Sequence, residues 1–167
     1  MTDTESTGFE LRRRYRATRE RLFRAFTDAE DLRGWYAPVS GWIVSHAEVD
    51  ARVGGSYHLE FGPPGGEPIV EKATFVEFDP PARLVIKLAL SGGIAEEATW
   101  VTVDFLEHGD ETEVVVRETG YSSEEVARMH EGGWTTMVEQ LRGVVGEQAF
   151  RNPGSEGLAA PGTPRTP

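Results

Sequence analysis

The 167 residues contain no cysteine. That excludes disulfides, thiolate metal ligands and cysteine nucleophiles together, and it fits a reducing compartment. No stretch approaches the roughly 18 apolar residues that a membrane-spanning helix needs. The opening MTDTESTGFE is acidic and polar, unlike a secretory signal, so a cytoplasmic protein without membrane contact is expected. Positive charge is scarce: the net charge is −11. This argues against nucleic acid as a partner, because affinity there comes largely from phosphate neutralisation. One basic run, RRRYRATRERLFR at 12–24, holds seven arginines. It reads as a strand and a helix start with charged outward positions, because Tyr15, Leu22 and Phe23 interrupt it.

Other signatures are missing too. The Gly-Gly pairs sit between strand-like runs, and none opens a helix as a phosphate loop would. There is no serine elbow. His46, His58, His108 and His130 lack the paired spacing of zinc sites. No metal and no cofactor are expected.

What remains is patterning. Phe9, Leu11, Arg13 and Tyr15 alternate with Glu10, Arg12, Arg14 and Arg16, a period-2 strand. Thr18 is placed to cap a helix whose stripe is Leu22, Phe23 and Phe26, and Thr27-Asp28 starts a second short helix. Strands are predicted at 42–49, 56–61, 70–78, 84–90, 99–106 and 112–119, separated by Gly- and Pro-rich turns. Connections this short make neighbouring strands antiparallel. A last helix is predicted from Ser122 or Ser123 to about Gln148, with Val126, Met129, Met137, Leu141, Val144 and Val145 facing inward. The chain thus reads as α+β, seven strands wrapped around a long C-terminal helix with two short helices after the first strand. Residues 1–8 are expected to be loose, 9–149 to form the domain, and the Pro/Gly-rich stretch 150–167 to be disordered.

Within the last helix, HEGGWTTMVEQL at 130–141 raises a question: each interior glycine costs a helix about 1 kcal/mol relative to alanine. Gly132 and Gly133 should therefore permit a close approach or a bend. Trp134 either fills the core there or borders an open space.

Five segments carry a family resemblance: RATRERLFRAFTDAEDLRGWYAP, DARVGGSYHLEF, ATFVEFDPPARLVI, WVTVDFLEHGDETEVVVRETGY and HEGGWTTMVEQL. Together they cover about residues 9–146. The chain resembles the bacterial homologues of the heat-shock protein 90 ATPase activator, within the START-like (SRPBCC, helix-grip) superfamily. The resemblance implies a helix-grip fold with a cavity between sheet and long helix, which often holds a hydrophobic small molecule. Functions within that superfamily are diverse, so the fold leaves the chemistry open. The eukaryotic activator carries a further chaperone-binding domain, which is not expected within these residues.

Strand parity nominates the cavity walls. Tyr57, Leu59 and Phe61 share one face of their strand; Phe75, Val101, Val103 and Val116 are expected to point inward from theirs. Glu118 continues the Val114–Val116 face. It is either a proton donor or ligand anchor, with its pKa raised by an apolar cavity, or a mouth residue solvated or paired with Arg117 or Arg128. His130 is expected beside it. Trp35, Tyr36 and Trp42 read as a lid over the opening, or as core against the short helices. With Trp134 and Met137, these residues make the candidate ligand-binding set. The leading expectation is binding of a hydrophobic or aromatic small molecule without covalent chemistry. A cyclase- or hydratase-like enzyme using Glu118, with His130 or Tyr57, is the alternative. A chaperone-modulating module is a third, and the chain is expected to act as a monomer or homodimer.

Overall fold

The computed structural model describes residues 7–91 and 97–146. The tail expected at 150–167 and most of the expected loose N-terminus lie outside them. Seven strands form one antiparallel sheet in the order β1-β7-β6-β5-β4-β3-β2. They are β1 Thr7–Tyr15, β2 Ile43–Val49, β3 Ser56–Gly62, β4 Ile69–Asp79, β5 Arg83–Ser91, β6 Glu97–His108 and β7 Glu111–Tyr121. Only the return from β1 to β2 crosses the sheet, and it carries α1 Arg19–Thr27 and α2 Ala29–Arg33. The long helix, α3, runs Glu124–Val144. This is the helix-grip arrangement that the patterning and the resemblance lead one to expect.

Local chemistry sets the helix ends. The Thr18 side chain accepts from the Arg21 N–H, Asp28 closes α1 while accepting from the Asp31 N–H of α2, and Ser123 accepts from the Val126 N–H of α3. Each satisfies a backbone donor that the first turn leaves open. The last helix stops earlier than expected. Val145 caps it and Gly146 follows with φ of +82°, a left-handed position that suits glycine as a helix terminator.

α1 and α2 fill one end of the curved sheet. Phe23 meets Phe78 and Phe105, both with ring centroids 5.3 Å away, and Phe26 meets Phe105 and Trp35. α3 is held along β1, where the Tyr15 hydroxyl donates to the Val138 carbonyl at 2.8 Å and Arg142 donates to the Arg14 carbonyl. On the other side, the Gln140 amide donates to the Trp35 and Ala37 carbonyls. It ties the loop after α2 to the helix.

That loop explains one of the two glycines. A Cβ on Gly133 would lie 2.9 Å from the Pro38 ring, whereas one on Gly132 would meet nothing within 4 Å. The close approach belongs to Gly133 alone, and Gly132 is exposed. Gly132→Ala should therefore gain helix propensity, about 1 kcal/mol. In Gly133→Ala the same gain is outweighed by an overpacking cost of about 1–3 kcal/mol. Urea denaturation of the two variants should move in opposite directions; a stabilised Gly133→Ala would show that the approach to Pro38 constrains nothing.

The basic run folds as its interruptions suggest. Arg12 pairs with Glu10 and Glu113, Arg13 with Glu139, Arg14 and Arg16 with Glu111, and Arg21 and Arg24 with Asp31. These guanidiniums engage the protein's own carboxylates and do not form a free anion patch.

Candidate functional site

Where α1 and α2 end, α3 overhangs the sheet and leaves a hollow of about 510 Å³. The loop after α2 contributes Tyr36, Pro38, Val39 and Trp42, and the sheet contributes Phe61, Ile69, Glu71, Leu88, Leu90, Thr99, Glu118 and Tyr121. From α3 come Val126, Met129, His130, Gly133, Trp134 and Met137. Val39 and Met129 are also solvent-exposed, so they mark the mouth. The exposure of Met129 corrects its placement in the core: its side chain lies at the mouth, while Ala127, Trp134, Met137, Val138 and Leu141 are the buried residues of α3.

Trp134 meets both descriptions raised by the sequence. It is buried, with its ring centroid 5.8 Å from Tyr36 and 6.3 Å from Trp35, and it also forms part of the hollow's wall. Its indole N–H donates to Glu118 Oε1 at 2.8 Å. The Thr99 hydroxyl donates to Glu118 Oε2. Glu118 is only 4% exposed, which overturns the solvated or arginine-paired alternative. Arg117 pairs instead with Glu10 and Asp104, and Arg128 with Glu124 and Glu131. Burial pushes the Glu118 carboxyl above its ordinary value, against the opposing pull of Thr99, Tyr121, Trp134 and the charge of His130. His130 stacks on Tyr121, with ring centroids 5.0 Å apart and planes 11° apart. The structure thus brings Glu118 and His130 to one wall.

Sequence reasoning missed the second carboxylate. Glu71 on β4 is buried and lines the same hollow. Oε2 accepts from the Tyr57 hydroxyl and from the Tyr36 hydroxyl, the latter at 2.8 Å; Oε1 accepts from neither. Burial raises its pKa to about 7, with the two tyrosines pulling it down and the Glu118 charge pushing it up. Both phenols are in turn pushed well above their usual value, first by burial and then by Glu71. The signal was present: Glu71, Ala73 and Phe75 share parity, and the latter two are plainly inward.

The other candidates divide. Tyr36, Trp42, Phe61, Glu118, His130, Trp134 and Met137 line the hollow as expected. Tyr57, Val101 and Val103 border a separate space of about 10 Å³ deeper in the core, room for about one water. Trp35, Leu59, Phe75 and Val116 border neither space and are packed core. Trp35 donates its N–H to the Ala25 carbonyl, so the lid consists of Tyr36 and Trp42 without it. Parity tells which side of the sheet a residue faces, but not whether α1 and α2 already occupy the space above it.

On the outer face of the sheet, His46, Glu48 and His58 bring one ligand atom each within 4.8 Å of one another. Pairing of β2 with β3 sets Glu48 opposite His58, a proximity invisible in spacing along the chain. His58 is also engaged by Glu60 at 2.9 Å.

Comparison with known proteins agrees with this architecture. CV1439 from Chromobacterium violaceum superposes with a TM-score of 0.73 at 25% identity, covering 82% of this chain and 96% of that one. Mll3558 from Rhizobium loti gives 0.70 at 27%, covering 83% and 96%. PFC0360w from Plasmodium falciparum, described as an HSP90 activator, gives 0.62 at 26%, covering 83% and 95%. No curated protein matches. No helix among the described residues is long and apolar enough to cross a membrane. A sequence-family model described as Activator of Hsp90 ATPase homolog 1-like protein matches residues 16–146, from the end of β1 through α3. With the helix-grip fold and this extent of match, the chain belongs to the Activator of Hsp90 ATPase homolog 1-like family.

Proposed function

We propose that the chain binds a hydrophobic or aromatic small molecule in the hollow between α3 and the sheet, for sequestration, sensing or transport, without covalent chemistry. One observation carries the reading: a space of about 510 Å³ opens beside Trp134. Small-molecule sites fall in the range of about 300–1,000 Å³, with apolar walls and a few convergent polar groups. Here the walls are aromatic and aliphatic, and the polar groups are Glu71, Glu118, Thr99 and His130.

The reading is tested with 1-pyrenemethanol, a neutral aromatic probe. Saturating probe should raise the melting temperature, since ligand at about 100 times Kd stabilises by about 2.7 kcal/mol, and native mass spectrometry should show a one-to-one adduct. Absence of both, with this probe and with aromatic polyketides and lipids, would defeat the reading. A second reading, proton transfer in the manner of a cyclase or hydratase, draws support from Glu71, whose pKa of about 7 suits a general base near neutral pH. In that case Glu71 joins Glu118, with His130 or Tyr57, among the groups to test.

A further inference from the structure

We propose that the hollow selects lipophilic cations: hydrophobic ligands carrying an ammonium group, held between the Glu71 and Glu118 carboxylates and the rings of Trp134, Tyr36 and Trp42. The inference rests on the ligand-binding reading above and adds the charge class of the ligand.

The argument starts from what the walls offer. Two buried carboxylates line the space, with Glu67 as a third acidic group, and no arginine or lysine is among the described residues lining it. The nearby neutral donors are already spent on these carboxylates: Tyr36 and Tyr57 on Glu71, Thr99 and Trp134 on Glu118. A ligand therefore meets the uncommitted Oε1 of Glu71, an acceptor, and the unpartnered Nδ1 of His130. An anionic ligand would bring a further negative charge beside two carboxylates, with His130, itself set against Glu118, as the one basic side chain among the described residues lining the space, which is costly. A cationic ligand supplies the missing partner, in charge-assisted hydrogen bonds stronger than neutral ones. It also finds aromatic faces that attract cations.

Proton linkage follows from the same groups. Glu71 is faced by Tyr36 from the loop after α2, Tyr57 from β3 and Glu118 from β7; Glu118 is faced by Thr99 from β6, Tyr121 from β7 and His130 from α3. A cation favours the ionised carboxylates, so its binding should release protons at pH values below about 7, where Glu71 is protonated in the empty protein.

The test compares 1-pyrenemethylamine, 1-pyrenemethanol and 1-pyrenecarboxylate by fluorescence titration of the full chain across pH. The ammonium stays charged over the range, so changes in its affinity relative to the alcohol report the protein. We expect the ammonium to bind about tenfold or more tighter than the alcohol once Glu71 is ionised. The carboxylate should bind weakest, and the ammonium-to-alcohol ratio should fall as pH drops. In Glu71→Gln that ratio should approach one, whereas in Glu118→Gln, which leaves Glu71 in place, it should fall less; should Glu71→Gln misfold, the pH series on the unaltered protein carries the test. Equal affinities, or a preference for the carboxylate, would overturn the charge class while leaving the hydrophobic site intact. If none of the three probes binds, the underlying site falls as well.

Discussion

Glu71→Gln should make the protein more stable at about pH 8 and change it little at about pH 5. The ordinary glutamate value is 4.5, and the folded protein raises that of Glu71 to about 7. Below the lower value the group is protonated in both folded and unfolded chains. Between the two, the folded chain holds a proton that the unfolded chain has released. Stability therefore falls as pH rises through this interval and levels off above about 7. At about 1.4 kcal/mol per unit, the interval amounts to about 3 kcal/mol. Glutamine cannot ionise, and its amide oxygen can still accept from Tyr36 and Tyr57. The variant should lack this slope and exceed the parent by on the order of 10 °C in melting temperature at the higher pH. The Glu118 carboxyl, also raised by burial, should add a slope of the same sign in both proteins, so the difference between them reports Glu71 together with its coupling to Glu118. Thermal denaturation from pH 5 to pH 8 checks this. A parent whose stability rises with pH relative to the variant would mean that Glu71 is ionised and paired in the folded state.

Trp134→Ala should cost about 3–5 kcal/mol, the range for a buried aromatic ring. The indole packs edge-on to Tyr36 and near Trp35, so its removal strips contacts from both lid and core. One face borders the hollow and loses nothing, which places the expected cost toward the lower end. Trp134→Phe separates packing from hydrogen bonding. It keeps a ring but removes the donor to Glu118 Oε1, for about 1–3 kcal/mol. Losing that donor raises the Glu118 carboxyl further, so the deficit of the Phe variant should grow with pH. Chemical denaturation of both variants provides the measurement; a Phe variant as stable as the parent at every pH would show that the indole N–H does not govern Glu118.

The architecture was legible because several local signals agreed. Alternation in Phe9–Tyr15, the cap at Thr18 and the glycine turns each pointed to the same sheet and helices, and such agreement is what specifies a fold. Glu118 was legible because it extends an apolar face by parity. Glu71 extends the Ala73–Phe75 face in the same way, but the hydroxyls that make its burial tolerable, those of Tyr36 and Tyr57, lie 35 and 14 residues away and leave no local sign. Parity alone places Leu59, Phe75 and Val116 on the wall, yet they are buried in the core and line neither space. The same spatial blindness hid the His46–Glu48–His58 group, which exists only through the β2–β3 register.

The central claim is a ligand-accessible hollow beneath the first turns of α3, and its methionines report on it directly. The chain has three, Met1, Met129 and Met137, of which the latter two line the hollow. In a methyl-labelled NMR titration with 1-pyrenemethanol, the Met129 and Met137 signals should shift together and saturate. Unmoved Met129 and Met137 signals at saturating probe would contradict the account.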